Sequence, residues 1–149
     1  MELKSDASGL ASALFLDDDI SSEKATSEQL SEPLQKTLQQ LTEYFDGARQ
    51  SFDIPLNPQG TDFQKKVWSQ LQEIPFSKTT SYQKMANALG DPKVIRAAAS
   101  ANGKNPISII IPCHRVIGSD GSLTGYAGGL NRKKWLLQHE SPVKQGELF

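Results

Sequence analysis

Apolar positions in the first 60 residues predict one strand, one helix and a linker. A short apolar stretch with partial alternation, residues 10–16, follows Gly9 and predicts a strand that ends before three aspartates. Residues 31–45 carry apolar side chains at helical spacing and predict a helix; the recurring positions are Leu34, Leu38, Leu41 and Phe45. Prolines and a glycine within residues 50–60 predict an extended linker.

The second half has clearer signals for the beginning and end of helices. Residues 61–64, Thr-Asp-Phe-Gln, form a capping box that opens a helix. The apolar face of this helix holds Phe63, Val67, Trp68 and Leu71. A shorter helix is predicted over residues 80–89, and a third over residues 91–102, with Asp91 as its N-cap. The turn at Gly90 between these two helices predicts a helix-turn-helix.

The remaining pattern predicts a strand, a glycine-rich connection and a final helix. Residues 107–111 are mostly β-branched and predict a strand that leads to the only cysteine. Glycines within residues 118–129 predict turns that close a tight pocket. The last helix is predicted over residues 131–140. Its first turn carries Arg132, Lys133 and Lys134, whose charge opposes the helix dipole and suggests a phosphate partner or, alternatively, a solvated basic face.

Composition and charge favour two small units. The 149 residues have 37% hydrophobic and 22% charged side chains, which is ordinary for a globular protein. The net charge of −1 conceals an excess of acidic groups in residues 1–60 and of basic groups in residues 61–149. The basic half tolerates a polyanion such as nucleic acid, or it is simply a basic surface beside an acidic solubilising half. No apolar run approaches the ~20 residues that cross a bilayer, and the polar N-terminus is unlike a signal peptide.

The chemistry of the chain centres on one thiol. A single cysteine, Cys113, cannot form an internal disulfide or a thiolate metal cluster. Such a residue is often inert and buried, but here Pro112 fixes the preceding backbone, while His114 and Arg115 supply a base and a positive charge. These neighbours predict a nucleophilic thiol. A reduced thiol in a chain without a secretion signal indicates the cytoplasm.

Two further features have a functional and a plain interpretation. Glu140 is the best candidate to orient the histidine, although a carboxylate near a helix end is commonly a surface group. The third helix of the second half presents small side chains over residues 97–101 beside Lys93 and Arg96, which would let its backbone approach a DNA groove or pack tightly against a neighbouring helix. The spacing of His and Cys predicts no metal site, and no cofactor fingerprint is present.

The motifs as a set resemble the O6-alkylguanine-DNA alkyltransferases. Residues 111–117 read Ile-Pro-Cys-His-Arg-Val-Ile; Asn-Pro precedes them at residues 105–106, and Gly-Tyr-Ala-Gly-Gly-Leu follows at residues 125–130. Lys-Trp-Leu-Leu at residues 134–137 completes the pattern. The resemblance covers roughly residues 41–141 and, less clearly, residues 9–17.

The resemblance implies an α+β fold in two domains. Residues 1–57 would form a small ribonuclease H-like domain of sheet and helix with its linker, shorter than is usual in the family. Residues 58–141 would form a helical domain with a winged helix-turn-helix-like DNA-binding fold, followed by a tail over residues 142–149.

The resemblance also implies an activity. A monomer would bind double-stranded DNA in the minor groove, rotate an O6-alkylguanine out of the stack, and transfer the alkyl group irreversibly to Cys113. No cofactor restores the thiol, so each molecule would act once.

Roles for individual residues follow from matching positions in the family pattern. The implied catalytic residues are Cys113, His114, Glu140 and Asn105. The implied substrate-binding residues are Tyr82, Val116, Tyr126 and Ala127. The implied DNA-binding residues are Lys93, Arg96, Ala97, Ser100, Ala101 and Arg115, with Arg96 as the finger that fills the vacated space.

Three other functions compete with this one. A lesion-binding protein without transfer activity would have another residue in place of the cysteine, whereas this chain has the cysteine. A helix-turn-helix transcription regulator would not need the Pro-Cys-His-Arg pocket. A cysteine hydrolase would need an oxyanion-hole motif and a distant His/Asn pair, neither of which is evident.

Overall fold

The structure is a computed structural model that describes residues 1–15, 32–123, 125–126 and 128–141. Its chain divides into two units: residues 1–59 with residues 106–108 form the first, and residues 60–105 with the chain from residue 109 onward form the second. The three aspartates of the first loop, the predicted tail over residues 142–149, and Ala127 lie outside the described residues.

The first unit is built on an antiparallel hairpin of β1 (Glu2–Asp6) and β2 (Gly9–Leu14). The predicted strand is confirmed as β2, whereas β1 has no apolar stretch to reveal it and forms by pairing with β2. Gly9 has a φ of 144°, and a Cβ there would collide with the carbonyl of Pro55. This close approach lets Leu10 donate its N–H to that carbonyl at 2.8 Å, so part of the expected linker pairs with β2.

Helix α1 (Glu32–Phe45) confirms the predicted helix, but two of its recurring apolar positions do not face the core. Leu38 is 49% exposed and Phe45 is 38% exposed, while Leu41 and Tyr44 are buried with polar Thr37 and Gln40. The polar pair is tolerated because it is hydrogen-bonded: Thr37 Oγ1 donates to the Pro33 carbonyl at 2.6 Å, and the Gln40 amide bonds both backbone groups of Asp53.

The second unit begins with the predicted capped helix. In α2 (Asp62–Leu71) the Thr61 hydroxyl accepts from the Gln64 N–H and the Gln64 side chain accepts from the Thr61 N–H, which is the capping box. Val67, Trp68 and Leu71 are buried on its inner face.

The predicted helix-turn-helix is confirmed. A short strand β3 (Thr80–Ser81) leads into α3 (Tyr82–Ala88), and Gly90, with a φ of 98°, makes the turn. A 3-10 turn (Pro92–Val94) capped by Asp91 then runs into α4 (Ile95–Gly103). The indole N–H of Trp68 donates to the Ala101 carbonyl at 2.8 Å and fastens α2 to α4.

The remaining elements are β4 (Val116–Ile117), which pairs in parallel with β3, and α5 (Leu130–Glu140). No helix within the described ranges is long and apolar enough to cross a membrane.

The strand predicted over residues 107–111 is wrong. Only Ile107 makes a single bridge, to Ala13; residues 108–110 form a turn, and Ile109 has a φ of 72°. The aliphatic run is nevertheless buried from end to end. Burial rather than strand pairing therefore accounts for its composition, because tertiary packing overrides a local β preference.

Candidate active site

Cys113 stands at the end of a tight backbone turn. Pro112 has φ −81° and ψ 64°, and the Cys113 N–H donates to the Ile111 carbonyl at 2.8 Å. These values define an inverse γ-turn, for which the proline ring preselects φ. A 3-10 turn (Cys113–Arg115) follows and carries the thiol, the imidazole and the guanidinium, all of which are buried.

Two asparagines hold the backbone around the thiol. Asn105 Nδ2 donates to the Ile111 carbonyl at 2.7 Å, and its side chain also hydrogen-bonds Cys113. Asn102, which is buried on α4, lies with Nδ2 at 3.5 Å from the Cys113 carbonyl. The helix-turn-helix and the cysteine turn are thereby in contact.

A buried charge network lies on the other side of the turn. Glu140 accepts from Arg115 Nε at 2.8 Å and Nη2 at 3.0 Å, and lies 2.7 Å from His114 Nε2. Arg115 Nη1 donates to the Ile74 carbonyl at 2.7 Å, and the guanidinium lies 5.8 Å from the centre of the Phe76 ring. Glu140 therefore contacts His114, and it is a buried rather than a surface carboxylate.

The network sets the protonation of both groups. Burial alone would raise the pKa of Glu140, but hydrogen bonds from His114 and Arg115 outweigh it and lower that pKa to about 2. Burial lowers the pKa of His114 below its ordinary 6.5 and outweighs the attraction of Glu140. The imidazole is accordingly neutral near pH 7, with its proton on Nε2 facing the carboxylate. Its Nδ1 makes no hydrogen bond within the described ranges, which leaves it as a base.

The thiol itself is held neutral. Cys113 is 4% exposed, and burial raises its pKa above the ordinary 9.0. The hydrogen bond from Asn105 and the charge of Lys133 act in the opposite direction and stabilise the thiolate. A base is therefore needed to generate the nucleophile.

Lys133 is a buried cation acting on the Cys113 pKa whose place in the site the sequence reasoning missed. It is fully buried, so the expectation of a phosphate contact or solvated face is wrong for this member of the basic turn. Burial lowers its pKa to about 8, and its Nζ lies 5.8 Å from the centre of the Tyr82 ring. Its position at a helix N-terminus, against the dipole, was the signal of an unusual environment.

One of the predicted substrate-binding residues, Tyr82, lies beside this cation. Tyr82, at the start of α3, is half-buried, and a Cβ on Gly125 would lie 3.9 Å from its hydroxyl. Val116 is buried in β4, and its N–H donates to the Cys113 carbonyl. Tyr126 is half-buried one residue after Gly125. Ala127 lies outside the described residues.

The DNA-binding predictions divide into exposed and buried side chains. Four are exposed as the prediction requires: Lys93, Arg96, Ala97 and Ser100. Ala101 is 2% exposed beneath α2, so its side chain is buried in this structure. Arg115 is also buried, and its guanidinium binds Glu140 and the Ile74 carbonyl. A DNA contact by either residue stays a prediction.

A groove of about 360 Å³ lies beside the start of α3. Its walls include hydroxyl side chains and one lysine: Thr79, Thr80, Ser81, Ser119 and Lys84. Such walls suit a sugar-phosphate backbone. Elsewhere, among the residues described, no group of three or more His, Cys, Asp or Glu side chains is arranged to hold a metal ion.

Comparison with known proteins agrees with this geometry. The site geometry is that of a helix-turn-helix unit that also holds a buried cysteine and a buried His–Glu pair. A family model described as the 6-O-methylguanine DNA methyltransferase DNA-binding domain matches residues 62–142, and the ribonuclease-like domain of that family matches residues 2–58. The chain belongs to the 6-O-methylguanine DNA methyltransferase family.

Named relatives and solved structures support the assignment. The methylated-DNA–protein-cysteine methyltransferase of Methanosarcina barkeri is 57% identical over 101 residues, 68% of this chain and 64% of the relative. That of Mycobacterium bovis is 52% identical over 109 residues, 73% and 66% respectively. The matched region thus spans just under two thirds of these relatives. The crystal structure of Mycobacterium tuberculosis OGT in complex with DNA has a TM-score of 0.79 at 40% identity, and the match covers 97% of this chain and 89% of that one. The predicted family and two-part α+β fold are confirmed.

Proposed function

We propose that this protein repairs DNA by direct reversal, transferring the alkyl group of O6-alkylguanine to its own Cys113. The observation that carries the proposal is the buried constellation of Cys113, His114 and Glu140 in the same unit as the helix-turn-helix. The relatives named above are methylated-DNA–protein-cysteine methyltransferases, and the OGT structure holds DNA.

The protonation states support a base-assisted displacement. His114 Nδ1 takes the thiol proton through a water molecule, and the imidazolium that forms is stabilised by Glu140, whose charge is secured by Arg115. The sulfur forms a bond to the alkyl carbon as the bond from that carbon to guanine O6 breaks. The guanine oxygen leaves with the bonding electron pair, and the guanine takes up the proton that His114 received from the thiol.

Lys133 supports the same step electrostatically. Its buried cation attracts the thiolate, and such attraction is strong where water is excluded. The product is a dialkyl sulfide, whose carbon–sulfur bond is not cleaved by thiols, and it consumes the one cysteine of the chain. One molecule therefore repairs one lesion, without a cofactor. A reaction that consumes a reduced thiol suits a reducing compartment such as the cytoplasm.

The exposed face of α4 is the proposed DNA contact. The side chains of Ala97 and Ser100 are small, which allows the helix to enter the minor groove of double-stranded DNA. The protein would bind as a monomer. Arg96 would occupy the gap left by the extruded base, and Tyr82 would wall the pocket that receives it. The hydroxyl groups and Lys84 of the groove beside α3 would contact the phosphates.

Intact mass spectrometry tests the proposal directly. After incubation with a duplex carrying O6-methylguanine, the chain should gain one methyl group, located on Cys113, and Cys113→Ser should gain none. An unchanged mass with retained binding to the lesion would favour the non-catalytic lesion-binding alternative and reject transfer.

The role of Arg96 is tested by comparing two substrates. Arg96→Ala should slow transfer from duplex DNA, even at saturating DNA, far more than reaction with a free O6-alkylguanine base. Lys93→Ala is the matched control: loss of a phosphate contact weakens binding and its salt dependence, and excess DNA restores the rate. Equal losses on both substrates for Arg96→Ala would show that it is not the extruding finger.

A further inference from the structure

Ile109 has a backbone conformation that its side chain disfavours. Two non-glycine residues in the described ranges have a left-handed φ: Ile109 at 72° and Ser77 at 61°. A β-branched residue in this region is a genuine outlier, because its Cβ crowds the following carbonyl oxygen. Such a conformation persists only where the surroundings enforce it, and it concentrates at functional sites.

The side chain of Ile109 supplies that enforcement. It is 1% exposed, so leaving the left-handed region would withdraw an isoleucine from the core. Ser77 differs in this respect, since it is exposed on a surface turn. The left-handed residue is therefore buried at position 109 and exposed at position 77.

The position of Ile109 determines what its conformation controls. Residues 106–108 pair with β2: Ala13 donates to the Pro106 carbonyl at 2.9 Å, and the Ser108 N–H donates to the Ala13 carbonyl at 2.8 Å. Ile109 is the next residue, and two residues later the Ile111 carbonyl accepts from both Asn105 and the Cys113 N–H. Ile109 is thus the residue that joins the segment paired with β2 to the segment that ends in the cysteine turn.

From this geometry we propose that Ile109 is a positioning residue for alkyl transfer: packing of its side chain enforces the left-handed backbone that directs residues 110–113 onto Asn105. The proposal rests on the proposed function for its readout. It predicts an unusual order among substitutions, because alanine removes the packing and keeps the backbone penalty, whereas glycine removes both.

The test measures single-turnover methyl transfer from an O6-methylguanine duplex by the full chain, below the unfolding temperature of each variant. Ile109→Val should keep a rate close to that of the wild type. Ile109→Ala should be slowest, and Ile109→Gly should be faster than Ile109→Ala by about fivefold or more. Ser77→Gly is the matched control and should leave the rate unchanged.

A second readout separates positioning from simple loss of packing. In Ile109→Ala the pKa of Cys113, measured from the pH dependence of iodoacetamide labelling, should fall from its raised value toward the ordinary one, since the turn leaves its buried site. Ile109→Val should restore the wild-type profile. A rate for Ile109→Gly equal to or below that of Ile109→Ala would overturn the proposal, because a packing role alone gives that order. Failure of the wild type to accept a methyl group would instead reject the proposed function.

Discussion

Two arginine–glutamate ion pairs have the same N–O distance but differ in burial, since one is partly exposed and the other is excluded from water. In the first unit Arg49 Nε donates to Glu43 at 2.8 Å, with the side chains 29% and 36% exposed. In the second unit Arg115 Nε donates to Glu140 at the same 2.8 Å, with the side chains 8% and 1% exposed. Water can replace either partner of the first pair, whereas a buried charge that loses its partner has nothing to replace it.

The two pairs differ in how strongly each charge depends on its partner. A buried ion pair is weak evidence of stabilisation, because desolvation offsets the attraction. Its value here is that it keeps Glu140 anionic beside a neutral His114. The charges of the second unit are therefore interdependent, and those of the first are separable.

The largest effect should come from Glu140→Gln. Removing the carboxylate charge leaves Arg115 buried without an anion and should cost about 3–5 kcal/mol in the free energy of unfolding. Methyl transfer should slow by about a hundredfold or more, since the imidazolium loses its counter-charge. Urea unfolding and single-turnover transfer measure the two effects. Wild-type transfer by this variant would mean that His114 acts without Glu140.

The second-largest effect should be the loss of stability in acid as Glu140 is protonated. The folded pKa of Glu140, about 2, lies below its ordinary 4.5, so its contribution to stability is fully present above pH 4.5 and is lost as pH falls through 2. His114 adds in the same direction below pH 6.5, because its folded pKa is lowered. The free energy of unfolding should fall by about 3 kcal/mol between pH 5 and pH 2 through Glu140. Urea titrations over this range should show a shallower loss for Glu140→Gln; identical slopes would contradict the assignment.

Lys133→Met should separate stability from activity. A buried cation with a pKa lowered to about 8 destabilises the folded chain below that pH, so its removal should stabilise by about 1–3 kcal/mol at pH 7. This gain should vanish above pH 10.5, where the lysine is neutral in both states. Transfer should nevertheless slow about tenfold, because the thiolate loses its cation. The exposed neighbour offers the control, and Lys134→Met should change neither quantity. Faster transfer by Lys133→Met would show that this cation does not assist.

The smallest effect should come from Glu43→Gln. Its pair with Arg49 is half-exposed, so the free energy of unfolding should change by less than about 1 kcal/mol and transfer should be unaffected. Thermal unfolding at low and high salt measures the difference. A loss as large as that of Glu140→Gln would refute the contrast between the two pairs.

Local signals were sufficient where a residue acts on its own neighbours. Thr61 and Gln64 form their capping box, Asp91 caps the turn before α4, and Gly90 makes the bend of the helix-turn-helix. These interactions span a few residues, so sequence order determines them. The residues around Cys113 were likewise evident from the contiguous Pro-Cys-His-Arg motif and its resemblance to a known family.

Local signals failed where a distant partner decides. The β-branched run before the cysteine has strand propensity, yet it folds as a buried turn with Ile109 left-handed. The resemblance implies a DNA contact for Arg115, whereas in the structure its guanidinium binds Glu140, 25 positions away. The sequence predicts a phosphate partner or a solvated face for Lys133, whereas in the structure this lysine is buried with its Nζ over the Tyr82 ring.

The sequence by itself determined the helices, the family and the candidate nucleophile, because these depend on periodicity, capping and a contiguous motif. Only the tertiary structure decided which charges are buried, which carboxylate pairs with His114, and how the turn carrying Cys113 is held. The physical reason is that pKa values, ion pairing and strained backbone depend on desolvation and packing by residues far apart in the chain.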